Sequence, residues 1–219
     1  MALASRASAA TIIHLNTEQQ ADAALLEAWR RGDKQAGKQL FVRHGPAVAR
    51  FFRNKFRTGA DDLIQLTFLR LLESKGRIRD GVVFRSFLLG VARNIMFEHL
   101  RAKNRGEPVN AEVDTMATLS PGPSTLLGRR EEHRLLLEAL RRLPIEHQIA
   151  LELFYWEGYK TAEIAAVMGI SGSAMRSRLS KARELLNATM EQLASSSEVL
   201  ASTVNGLETW AKQIRGELA

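Results

Sequence analysis

The sequence predicts an all-α protein: two helical domains joined by a flexible linker, with a helical extension at the C-terminus. Three observations carry this. Apolar residues recur at three- and four-residue spacing along most of the 219-residue chain, and no alternating strand pattern competes. A stretch rich in proline, glycine and small polar residues separates two such regions. Between positions 158 and 186, GYKTAEIAAVMGISGSAMRSRLSKARELL spells a short helix, a glycine turn and a second helix. The boundaries drawn are a tail at 1–16, a first domain at 17–103, a linker at 104–127, a second domain at 128–188 and an extension at 189–219.

Thr17 and Gln20 have capping-box spacing, and Leu25, Leu26 and Trp29 form the apolar stripe of the first helix. Asp33 is placed to cap a second helix, which Gly45-Pro46 is expected to break or restart. Val48, Phe51, Phe52 and Phe56 continue its apolar side. Asp61 or Asp62 is expected to cap the third helix, DDLIQLTFLRLLES. Its inner stripe reads Ile64, Phe68 and Leu71. A second face mixes Asp61, Asp62, Gln65, Leu66, Leu69 and Glu73, a composition suited to a protein partner. After a loop through Val83, a long helix buries Phe84, Leu88, Val91 and Ile95. Its other stripe is Ser86, Gly90, Arg93, Asn94, Phe97 and Arg101. Basic and amide groups interleaved with an aromatic can hold unstacked bases and phosphates. Gly90 is costly inside a helix and is expected where another backbone approaches.

Beyond the linker, Leu135, Leu136, Ala139, Leu140 and Leu143 define a helix that Pro144 ends. Pro144 opens the next, with Ile149, Leu151, Leu153, Phe154 and Trp156. In the helix–turn–helix, Gly169 can take the left-handed conformation that ends the first helix, and Ser171 can cap the second. Thr161 is expected to cap the first. Met175, Leu179 and Ala182 face inward. The outer face carries Ser173, Arg176, Ser177, Ser180 and Lys181, with Arg178 and Arg183 on its flanks. Arginine and lysine can contact guanine edges or phosphates, and serine either, so this helix suits the DNA major groove. The tail repeats Leu193, Leu200, Leu207 and Ile214 every seven residues, with Val204, Ala211 and Leu218 four later. Breaks are expected at Ser195–Ser197 and Asn205-Gly206.

Composition bounds the function. The net charge of +7 and a pI near 10.1 favour an anionic partner, nucleic acid above all. Cysteine is absent, which excludes disulfides and thiolate metal sites. The five histidines form no ligand-spaced cluster. No cofactor, metal site or catalytic constellation is expected. No apolar run has the ~20 residues of a membrane span, nor the N-terminus the core of a signal peptide. The expectation is a cytoplasmic protein without membrane insertion.

ADDLIQLTFLRLL, FRSFLLGVARNIMFEHLR and LPIEHQIALELFYWEGYKTAEIAAVMGISGSAMRSRLSKARELL, in this order and at these separations, resemble the sigma-70 superfamily of bacterial transcription initiation factors. The likeness is to its small extracytoplasmic-function (ECF) group and covers about Leu25 to Asn187. The resemblance implies a dissociable specificity subunit that binds core RNA polymerase and promoter DNA. The helix from Asp61 to Glu73 would dock on the clamp helices of the largest subunit. The family usually has Gln-Glu where this chain has Gln65-Leu66, which exchanges a polar contact for an apolar one. Ile78, Arg79 and Asp80 would capture an unpaired base of the −10 element, with Asn94 touching further −10 bases. Arg176, Ser177, Ser180 and Lys181 match base-facing positions of the −35 reader. The linker, with Glu107, Glu112 and Asp114, would lie near the RNA path. An anti-sigma factor is a further partner the resemblance implies. On the residues alone, a stand-alone helix-turn-helix repressor or activator stays open. A nucleic-acid enzyme would need a carboxylate cluster or metal site that the sequence does not offer.

Overall fold

A computed structural model describes residues 17–56, 58–78, 83–104, 108–119, 131–207 and 209. Among them the secondary structure is helical, with one isolated bridge between Thr115 and Pro144. The first domain comprises α1 (Thr17–Arg30), α2 (Lys34–Arg53), α3 (Ala60–Ser74) and α4 (Phe84–Lys103). The short α5 (Met116–Leu119) belongs to the linker. The second domain comprises α6 (Glu131–Arg141), α7 (Ile145–Tyr155), α8 (Thr161–Met168) and α9 (Gly172–Leu193), and α10 (Ser197–Asn205) follows it.

Asp33 caps α2 as expected, its carboxylate accepting from the amides of Gln35 and Ala36. Gly45-Pro46 does not break that helix. Pro46 lies inside a continuous α2. The carbonyl it leaves without a donor belongs to Val42, which is exposed and open to water. Gly37 has a steric role, since a Cβ there would lie 2.5 Å from the Trp29 ring. Asp22, on the inner side of α1, accepts from Arg43 at 2.5 Å and pairs with His44 at 2.7 Å. Burial alone would raise its pKa, but the hydrogen bonds and charge of His44 and Arg43 hold it below the ordinary aspartate value.

The cap of α3 also differs. Gly59, at φ 79°, is its N-cap, and Asp61 and Asp62 lie within the first turn, where they favour the helix dipole. The buried stripe of α3 is Ala60, Leu63, Thr67 and Leu71, rotated from the expected Ile64 and Phe68, which are half-buried. The Thr67 hydroxyl is satisfied by the Leu63 carbonyl at 2.8 Å, so a polar residue sits in the core without cost to the ladder. In α4 the core face runs through Phe84, Leu88, Leu89, Ala92, Ile95 and Met96.

The described part of the linker is seated on the second domain. Ile145 and Glu146 donate their amides to the carbonyls of Asp114 and Ala111, and Met116 is fully buried. Helix α9 extends past Asn187 to Leu193, with Met190 buried like Met175, Leu179, Ala182 and Leu186. Ser196 caps α10, which packs on α6 and α9. The expected breaks are present. The inner face, however, is Thr203 with Val199, Leu200 and Leu207, while Val204 is exposed. Trp210, Ala211, Ile214 and Leu218 lie outside the described residues. The apolar cores of both domains join into one cluster, because α4 packs directly against α8.

Candidate nucleic-acid interface

The helix–turn–helix is built as its residues dictate. Gly169, at φ 68°, ends α8, and the amides of Gly169 and Ile170 both reach the Ala165 carbonyl. The Ser171 hydroxyl caps α9 through the Ala174 amide at 3.2 Å. Thr161 is the first helical residue, not the cap. The cap position is Lys160, whose amide donates to the Glu163 carboxylate at 2.7 Å. The Glu163 carboxylate thus supplies the reciprocal half of a capping box, satisfying the amide of the cap residue itself.

Ser173, Arg176, Ser177, Ser180 and Lys181 are exposed on the outer face of α9. Arg176 makes no ion pair or hydrogen bond with a described residue. Lys181 reaches Glu184 at 3.2 Å, an exposed pair of little strength. The flanking arginines are committed elsewhere. Arg183 donates from Nε to the Tyr155 hydroxyl at 3.0 Å and lies over the Phe154 ring at 4.9 Å. Arg178 pairs with Glu112 of the linker at 2.6 Å and Glu146 of α7 at 3.3 Å. Beside it, His147 is held below the ordinary histidine value by burial first, then by the charge of Arg178.

The α4 stripe is only partly free. Asn94 and Arg101 are exposed. Ser86 is 3% exposed, so it is not on an open surface as expected. Arg93 lies over the Phe97 ring at 4.9 Å and pairs with Glu146. Ile78 is also a correction. It is 2% exposed and part of the core, where an apolar side chain next to a short helical turn gains more from burial than from stacking on a base. Arg79 and Asp80 lie outside the described residues. On α3, Asp61, Asp62, Gln65, Leu69 and Glu73 are exposed and Leu66 is half-buried. Leu72 was missed. It is exposed beside Leu69 and widens the apolar part of that face.

The contact between the two domains was also missed. Basic and amide groups of the first domain meet four glutamates of the second. Arg50 grips Glu157 with two hydrogen bonds of 2.7 and 2.8 Å. Lys55, wholly buried, pairs with Glu152, which also accepts from Asn54 and Gln148. Arg85 and Gln19 hold Glu163 at 2.6 Å. Arg93 holds Glu146. Burial pushes the Lys55 ammonium down while the Glu152 charge opposes it. Removing one partner of such a buried pair costs about 3–5 kcal/mol, since the other charge is stranded. No single-sequence pattern announces these pairs, because the partners are 53 to 144 positions apart. Glu146 accepts from both Arg93 of α4 and Arg178 of α9, so one carboxylate ties the two basic faces together.

Two helical domains, one with a capped helix–turn–helix and a basic outer face, define a DNA-binding protein of the transcription-factor class. Two family descriptions match it: "Sigma-70 region 2" over residues 40–106 and "Sigma-70, region 4" over residues 133–186. The RNA polymerase sigma factor CarQ of Myxococcus xanthus is 34% identical over 170 residues, 77% of this chain and 97% of the relative. The ECF RNA polymerase sigma-E factor of Salmonella typhimurium is 26% identical, covering 81% of this chain and 98% of that one. Among solved structures, CnrH in complex with the cytosolic domain of CnrY has a TM-score of 0.59 at 25% identity, covering 80% of this chain and 99% of that one. The chain belongs to the sigma-70 family, as an RNA polymerase sigma factor of the ECF type. Its partners are core RNA polymerase and promoter DNA, and it is not an enzyme. Among the described residues no helix is long and apolar enough to cross a membrane.

Proposed function

We propose that the structure is the closed form of a sigma factor whose two promoter-reading domains are held together through α4 and α8. In this reading Ser173, Arg176, Ser177, Ser180 and Lys181 meet the −35 duplex, with Arg178 on flanking phosphates. Arg183 positions α9 from within. Asn94, Arg93, Arg101 and Ser86, with Arg79 and Asp80, act on the −10 element. Ile78, which precedes them in the chain, stays in the core. Asp61, Asp62, Gln65, Leu69, Leu72 and Glu73 dock on the polymerase clamp helices, with Leu66 beneath them.

The observation that carries the reading is the shared Glu146, which accepts from Arg93 of α4 and Arg178 of α9 at once. Distance supports it. The −35 and −10 elements lie about 25 base pairs apart, or about 85 Å of B-form DNA. A compact chain of this length has a radius of gyration of only about 17 Å. Both elements can be read together only after α4 and α8 separate. Docking on polymerase supplies the free energy that selects the open form. The chain acts in the cytoplasm, where its template is, and an anti-sigma factor that favours the closed form fits the same scheme. The relationship to CnrH, solved with a bound cytosolic domain, supports that expectation.

Strand opening tests the residue assignment. Asn94→Ala is expected to leave closed-complex formation intact and to lower permanganate reactivity of −10 thymines, with activity restored on a premelted template. If premelting restores nothing, Asn94 does not act in opening.

A further inference from the structure

The linker turn at 110–114 lies on the start of α7, and backbone groups hold it there. Pro144, at the N-cap of α7, provides no side-chain cap. The amides of Ile145 and Glu146 are satisfied instead by the carbonyls of Asp114, at 3.0 Å, and Ala111, at 3.1 Å. The turn is also closed from within. The Asp114 carboxylate accepts from the Asn110 amide at 2.7 Å, and the Asn110 side-chain oxygen accepts from the Glu112 amide at 3.2 Å. Met116 follows, fully buried, with its carbonyl accepting from Arg141 at 3.3 Å. None of these bonds uses the side chain of Glu112. That side chain is 66% exposed, and its carboxylate accepts from Arg178 of α9 at 2.6 Å. Arg178 is therefore fixed between two carboxylates. Glu146, 5% exposed, holds one guanidinium nitrogen at 3.3 Å from the protein side, and Glu112 takes another from the solvent side. Carboxylate and phosphate oxygens accept from the guanidinium fork in the same way. Glu112 thus stands where a phosphate of DNA would approach the open edge of Arg178.

We propose that Glu112 is an internal competitor for DNA: in the free chain its carboxylate occupies the phosphate site of Arg178, lowers the affinity of α9 for duplex and so keeps the free chain off DNA at large. The proposal rests on the assignment of Arg178 to backbone phosphates given above. An exposed ion pair is weak by itself. Here the backbone bonds of the turn hold the carboxylate beside its target, so it competes at a high effective concentration.

The test titrates the full chain with a fluorescein-labelled duplex of mixed sequence across a series of salt concentrations, since phosphate contacts carry no sequence information. Glu112→Gln is expected to bind about threefold tighter, with a plot of log affinity against log salt steeper by about 0.9, the increment of one added phosphate contact. Glu112→Ala should repeat the gain, which excludes a new contact from the introduced amide. The melting temperature should not change, because the turn is held by its backbone. Arg178→Ala is expected to weaken binding about threefold in the native background and about tenfold in the Glu112→Gln background. With Arg178 replaced, Glu112→Gln should give no gain. An equal gain with and without Arg178 would be a general effect of charge and would overturn the proposal. If Arg178→Ala weakens binding but neither Glu112 variant strengthens it, the competitor falls and the phosphate assignment stands. If Arg178→Ala changes affinity in neither background, the phosphate assignment falls and the competitor falls with it.

Discussion

At the scale of single residues, the arginines of α9 divide by what they already touch. Arg176 is exposed and makes no bond to a described residue, while Arg183 is spent on Tyr155 and Phe154. Arg176→Ala should therefore relax base preference in the −35 region by about 1–3 kcal/mol, as for a bidentate base contact. Arg183→Ala should instead lower thermal stability and weaken all sequences alike. Affinities for a set of −35 variants check both. A base-selective loss from Arg183→Ala would reverse the assignment. Sequence periodicity places all seven polar side chains on or beside the outer face of α9. It does not tell which are free, because that depends on Tyr155, Glu112 and Glu146, which come near only in the folded chain. Ile78 illustrates the same limit, since position in a loop gives no sign that the side chain turns into the core.

At the scale of elements, the helices with periodic apolar faces were legible, including α8, α9 and the breaks around α10, though the cap of α8 was not. What local pattern misjudged was decided by tertiary packing. Pro46 is carried inside α2 by the burial on both sides of it, with Leu40, Val48 and Phe52 all fully enclosed. On α3, Leu69→Asp should leave stability within about 0.5 kcal/mol, as usual for exposed sites, and still reduce binding to core polymerase. Unchanged co-migration with the core enzyme would remove that face as the docking surface. The extension is tested by truncation after Ala194. Cutting at Asn187 would also remove the buried Met190. Loss of α10 uncovers the side of α6 and α9 that Val199, Leu200, Thr203 and Leu207 cover. It should lower the melting temperature of the second domain by several degrees, the equivalent of about 1–2 kcal/mol. An unchanged melting temperature would mean that α10 adds nothing to the stability of that domain.

At the scale of the whole molecule, both domains and their order were legible, but not their embrace. The interface places Arg50, Lys55, Arg85 and Arg93 on Glu157, Glu152, Glu163 and Glu146, and each of these residues read alone is an ordinary surface charge. Buried pairs of this kind resist salt better than surface pairs, so the closed form should persist at physiological ionic strength. The direct test is the distance between the domains. The chain has no native cysteine, so Lys38→Cys and Asn187→Cys give two unique sites for spin labels on exposed positions of opposite domains. Pulsed electron-electron distances in the free protein should show one short, narrow population. Addition of core polymerase and promoter DNA should replace it with one tens of ångströms longer. Promoter-specific transcription with the short distance unchanged would contradict the closed-to-open account.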